Sequence, residues 1–215
     1  MADSEEGQYR TLRDIERTVK AIARHFKTDV VVIIGSQAIQ LANPNPPKQL
    51  LFSKEIDAYP DNARDWEAER EALHAEASEE INGLFGDGSH FQKAFGFYID
   101  GVDETSATLP AGWRERANRL RVTDEDRVIT AIAPRTEDLV VSKLCALRPK
   151  DKAYIRVLNA DDELDIELIR SRLDDTPVDP GKKRLALDFL DVLARERDAA
   201  RANEELPAGP LPSDQ

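Results

Sequence analysis

The sequence predicts a mixed α/β fold with a helical C-terminal extension. Three observations predict it. An apolar stripe with a 3.6-residue period lies at 9–27. Short β-branched or apolar runs follow at 29–34, 50–59, 94–102 and 128–133. From Pro134 to about residue 197 the spacing is helical again. Helix and strand signals in alternation, then helices alone, argue for a sheet flanked by helices.

The first stripe, Leu12, Ile15, Val19, Ile22 and Phe26, marks a helix. Residues 29–34 are continuous and apolar, like a strand covered on both faces. Residues 36–41 read as a short helix beginning directly after Gly35. Residues 43–49, NPNPPKQ, hold three prolines, which lack an N–H and fix φ, so no regular structure is expected there. Residues 50–59 are expected as the second strand. Residues 64–84 read as one long acidic helix with Trp66, Leu73, Ala77, Ile81 and Leu84 inward, ended by Gly83, Gly86 and Gly88. The third strand is expected at 94–102 and a loop at 104–113. A hairpin is expected at 119–122 and 128–133 around Asp124–Asp126. Thr136 is expected to cap a helix, with Glu137 and Asp138 favourable in its first turn. Helices at about 150–160, 162–173 and 181–197 complete the order. The expected division is an α/β domain at 9–135, a helical part packed on it at 136–197, and a disordered tail at 198–215, rich in Pro, Ala and Glu.

Composition narrows the class. The chain has 215 residues, 40% hydrophobic and 33% charged, enough for one sizeable core with solvated helix faces. No run approaches the roughly 18 apolar residues of a membrane span. The opening MADSEEGQYR is acidic and polar, so no signal peptide is expected. The single cysteine, Cys145, excludes an intramolecular disulfide framework and a cysteine zinc cluster and reads as a core residue. A cytoplasmic location is expected. A net charge of −12 argues against broad, non-specific nucleic-acid binding. The charge is uneven, however: Lys143, Arg148, Lys150, Lys152 and Arg156 face a lone Asp151 within 143–156. A local basic site of that kind suits a nucleotide or part of an RNA.

The chemistry concentrates in VVIIGSQAIQLANPNPPKQLLFSKEIDAYP, residues 31–60. On a strand, Glu55 and Asp57 point to one face while Ile56 points to the core. Two adjacent carboxylates in an apolar strand repel and lose hydration. A divalent cation offsets both, and hard oxygen ligands suit Mg²⁺ or Mn²⁺. Solvated acids on an exposed edge are the plainer alternative. Gly35 and Ser36 form a strand-to-helix turn that can present backbone N–H groups to a phosphate.

Ile34-Gly35-Ser36 followed by Glu55-Ile56-Asp57 resembles the signature of the nucleotidyltransferase superfamily, the polymerase-β-like fold. The resemblance covers roughly residues 30–154. It is similar to the bacterial branch of abortive-infection and toxin–antitoxin nucleotidyltransferases, and to a related uncharacterised branch. It implies a nucleotidyltransferase-like mixed sheet and metal-dependent transfer of a nucleoside monophosphate from an NTP to an RNA, such as tRNA, or to a protein hydroxyl. It also implies a toxin-like role with a cognate antitoxin. Glu55, Asp57 and a third acid would hold the metals. Asp100 is the first candidate for that acid and Asp103 the next. Gly35, Ser36, Lys143, Lys150 and Lys152 would bind the triphosphate. The gap between Gly-Ser and the acidic pair is longer than the family's, and the proline loop fills it. A non-catalytic binding or regulatory module of the same fold is the rival expectation, and acids at 100 and 103 turned away from Glu55 and Asp57 would favour it. Arg114, Arg116, Arg119 and Arg121 are expected in ion pairs rather than as an RNA clamp. Trp66 and Trp113 are expected as packing anchors.

Overall fold

The computed structural model describes residues 9–160 and 164–204. Five strands form one mixed sheet in the order β3-β2-β1-β5-β4. They are β1 (Val30–Ile33), β2 (Glu55–Pro60), β3 (Tyr98–Gly101), β4 (Asn118–Asp124) and β5 (Arg127–Ala133). β1 runs antiparallel to β2 and parallel to β5, β2 runs parallel to β3, and β4 and β5 form an antiparallel hairpin. The mixed sheet flanked by helices is the fold class expected.

The first helix, α1 (Leu12–Phe26), starts at a reciprocal cap between Thr11 and Asp14 and stops at Lys27 in the left-handed conformation. Its stripe of Ile15, Val19, Ile22 and Phe26 is buried in the core. In β1, Val31 and Ile33 enter the main core, while Val32 and Ile34 meet Tyr59 and Ile132 in a smaller cluster on the other face. The strand is therefore covered on both sides.

Three elements depart from expectation. The second strand starts later, because Lys48–Leu51 forms a short helix, α3, after the 3₁₀ turn Ser36–Ala38 and α2 (Ile39–Ala42). Gln37 Nε2 donates to the Leu50 carbonyl, and the buried Leu50 side chain anchors that turn. The expected helix at 64–84 is broken into α4 (Ala63–Ala68), a 3₁₀ turn at Glu71–Leu73 and α5 (Ala77–Phe85). His74 adopts a left-handed conformation, and Glu67 accepts the Ala77 N–H, so the second piece starts afresh. Leu73 and Leu84 are exposed, against expectation. The third strand is shorter than expected because α6 (His90–Phe95), capped by Ser89 and ended by Gly96, takes its beginning.

The last four helices are α7 (Thr136–Ala146), α8 (Pro149–Ala160), α9 (Ile166–Asp174) and α10 (Pro180–Glu204). Arg135, not Thr136, stands at the cap of α7, where its Nε donates to the Arg116 carbonyl. Because α10 continues to Glu204, residues 198–204 are helical rather than tail, and 205–215 lie outside the described residues. Leu139, Leu158, Leu173, Leu190 and Leu193 share one core with the sheet. No helix among the described residues is long and apolar enough to cross a membrane.

Candidate active site

β2 and β3 build the site between them. Their parallel register sets Glu55 opposite Tyr98 and Asp57 opposite Asp100. Strand alternation then puts these four side chains on one face and the fully buried Ile56 and Ile99 on the other. Ligand oxygens of Glu55, Asp57 and Asp100 lie within 4.8 Å of one another, the one such acid, histidine or cysteine cluster among the described residues. Asp103 stands apart. Its Oδ1 accepts from Thr105 N and Oγ1, both at 2.7 Å, so it is an ordinary turn aspartate held below the usual carboxylate range by those bonds.

The lysines of the cleft only partly compensate the three acids. Burial, then Glu55, then Asp100 push the Asp57 carboxyl up to about 7, with Lys143 and Lys150 pulling the other way. Asp100 is raised by burial and by Glu55. Tyr98 Oη donates to Glu55 Oε2, and this bond, with burial, raises the phenol further from ionisation.

Gly35 makes the close packing possible. Its backbone has φ 67° and ψ −163°, a region almost reserved for glycine. A Cβ there would sit 1.7 Å from Asp57 Oδ2. The Ile34 N–H donates to the Asp57 carbonyl at 3.0 Å, so the Gly-Ser turn lies directly beside the acids.

The C-terminal helices form the opposite wall of a cleft of about 770 Å³ that contains the acids, Gly35 and Ser36. Tyr154 Oη on α8 donates to the Ser36 carbonyl at 2.7 Å. Lys143 on α7 is nearly buried. Its Nζ lies 4.1 Å from the Tyr154 ring centroid and 3.6 Å from Asp151 Oδ1. Burial lowers its pKa, and Asp151 and Asp57 oppose that shift. Asp151 is held by Arg148 as well, at 2.7 Å.

Lys150 lines the cleft, but Lys152 does not. Two residues apart on a helix, they face different sides, and Lys152 Nζ instead sits 5.6 Å from the Phe189 ring centroid on α10. Of the four arginines of 114–121 expected in ion pairs, Arg114 and Arg116 form them, while Arg119 donates to the Arg114 carbonyl. Arg114 binds Asp61 and Tyr59, and Arg116 grips Asp138 with a fork of bonds. Trp66 packs edge-on against Phe26, and Trp113 joins the smaller apolar cluster.

Sequence reasoning missed Tyr98 and Tyr154. Tyr98 precedes Asp100 by two, so strand alternation was a signal for it. Tyr154 lies 118 residues from Ser36, and only the tertiary fold brings it near.

A mixed sheet with Gly-Ser ending one central strand and acids clustered on the next two defines the nucleotidyltransferase class of fold. The model of a family described as "nucleotidyltransferase of unknown function (DUF6036)" matches residues 10–189, and the chain belongs to that family. No curated protein and no solved structure matches the chain.

Proposed function

We propose that the protein is a metal-dependent nucleotidyltransferase that moves a nucleoside monophosphate from a nucleoside triphosphate to a hydroxyl group of an RNA or protein acceptor. The convergence of Glu55, Asp57 and Asp100 beside Gly35 carries this reading. The donor set fits a divalent cation: all donors are hard oxygens, and burial, together with the charge of Glu55 and Asp100, holds Asp57 up at about 7. Mg²⁺ or Mn²⁺ bound there would neutralise triphosphate oxygens and acidify the acceptor hydroxyl.

The residues of the chain divide the remaining work. Glu55, Asp57 and Asp100 are the cation's ligands. Gly35 and Ser36 receive the β- and γ-phosphates at the turn. Lys143, in its nearly buried position, and Lys150 at the cleft lining face the charge that develops on the leaving group. Lys152 has no part in this reading. The acceptor oxygen forms a bond to the α-phosphorus as the α–β bridging bond breaks, and pyrophosphate leaves with that electron pair. The hydroxyl proton passes to a carboxylate oxygen of Asp100, which the strand register sets beside Asp57.

Asp100 beside Asp57 favours this reading over a non-catalytic binding module. A tRNA acceptor, a toxin-like role in bacterial defence and a cognate antitoxin rest on the resemblance alone. The test is incubation with labelled NTPs, Mg²⁺ or Mn²⁺, and either total tRNA or cell lysate. Wild-type protein labels an RNA or a protein, and Asp57→Asn does not. Incorporation that survives Asp57→Asn overturns the assigned residues. Nucleotide binding with no incorporation into either pool supports the binding module.

A further inference from the structure

Eight large apolar side chains are exposed among the described residues, and of these only Phe52 lines the cleft that holds the acids. It is 57% exposed, yet its backbone is tightly fixed. The Arg10 N–H donates to the Leu51 carbonyl at 2.7 Å, and Phe52 forms a backbone bridge with Tyr9. Leu50, two residues before, is buried. Ser53 Oγ donates to the Glu55 carbonyl at 3.0 Å and accepts the Glu55 N–H at 3.1 Å, which fixes the step from Phe52 to the first acid. The Tyr9 and Phe52 rings form a T, with centroids 5.8 Å apart and planes at 77°. One ring's edge meets the other's face, so Tyr9 covers at most one face of Phe52.

The fold thus spends several bonds on holding an aromatic ring in water at the mouth of a polar cleft. A lone exposed apolar side chain on an open surface needs no explanation. This one lies three residues from Glu55, so its Cα is at most about 11 Å from that of the acid. That bound keeps the ring within reach of a base whose α-phosphate lies at the acids. Neither tryptophan competes for the role, since both are spent on packing.

We propose that Phe52 is the stacking platform for the base of the donor nucleotide, a subsite that extends the triphosphate site and rests on the nucleotidyltransferase reading above. Every base has a π-face, so the platform takes any of them and sets affinity rather than strict base choice.

Calorimetric titration tests this with two probes in the presence of Mg²⁺: ATP, which has a base, and inorganic tripolyphosphate, which has none. Phe52→Ala and Phe52→Leu are expected to weaken ATP binding by roughly 5- to 150-fold and to leave tripolyphosphate binding unchanged. Phe52→Trp keeps the π-face and retains ATP affinity. Exposure of the ring keeps these variants folded, which thermal unfolding verifies. The subsite is overturned by unchanged ATP affinity in Phe52→Ala, by retained affinity in Phe52→Leu, or by equal weakening of both probes. Wild-type protein that binds both probes equally tightly overturns the subsite and leaves the triphosphate site standing. Wild-type protein that binds neither overturns the nucleotidyltransferase reading, and the subsite with it.

Discussion

At Gly35 the chain makes its least replaceable choice. A side chain there meets two penalties, a backbone region that disfavours it and a carboxylate oxygen 1.7 Å from its Cβ. Gly35→Ala is expected to lose about 1–3 kcal/mol of stability from the backbone alone, and to weaken Mn²⁺ binding as Asp57 is displaced. Urea unfolding and Mn²⁺ titration by electron paramagnetic resonance measure the two separately. Tyr98→Phe separates orientation from charge, because it removes the hydroxyl that holds Glu55 and leaves every carboxylate in place. Its Mn²⁺ affinity is expected to drop roughly 10-fold or more at nearly unchanged melting temperature. At this scale Glu55 and Asp57 were legible, since i and i+2 on any strand share a face. The sequence puts Asp100 ahead of Asp103, but the physical ground for that order, the parallel register of β2 and β3, was not legible. Lys152 misled because its chain neighbour Lys150 lines the cleft, and helix geometry sends the two apart.

Between elements, arginine–aspartate pairs do the fastening. Asp138 on α7 has no exposed side-chain surface and accepts from Arg116 before β4, with Arg172 of α9 at 3.1 Å. Removing that carboxylate leaves Arg116 without its acid and Arg172 with Glu137 alone, so Asp138→Ala is expected to cost up to about 3–5 kcal/mol in urea unfolding. Arg24 on α1 clamps Asp124 at the end of β4 through two bonds of 2.6 Å. The guanidinium holds the Asp124 carboxyl below its ordinary range. A depressed folded-state pKa contributes stability above the unfolded value, about 3.9, and loses it as pH falls through the folded value. Wild type is therefore expected to be more stable than Asp124→Asn at pH 7, with the gap closing towards pH 2. Unfolding curves across that range show it. The helix expected at 64–84 illustrates what pattern misses at this scale. Its composition is helical throughout, but His74 turns left-handed and the Glu67 carboxylate starts α5 in place of a continued backbone bond.

At the scale of the molecule, the main apolar core among the described residues joins the sheet to the C-terminal helices. Leu190 and Leu193 of α10 are fully buried in it, along with Leu144 of α7 and Ile155 of α8. Scanning calorimetry is expected to show one transition with equal calorimetric and van't Hoff enthalpies. Deleting residues 180–204 should yield no folded remainder, and a cooperative transition in that truncated chain would count against the shared core. The α/β order and the helical end were readable from periodicity. Packing of the helical part on the α/β part was expected too, but which faces meet in the core was not readable from periodicity. The bond from Tyr154 to the Ser36 carbonyl gives that packing a consequence. On the proposed reading, the turn assigned to the triphosphate is tied by that bond to a helix of the C-terminal part, so displacing α8 is expected to reach Ser36. The last four helices would then serve as a handle on the site.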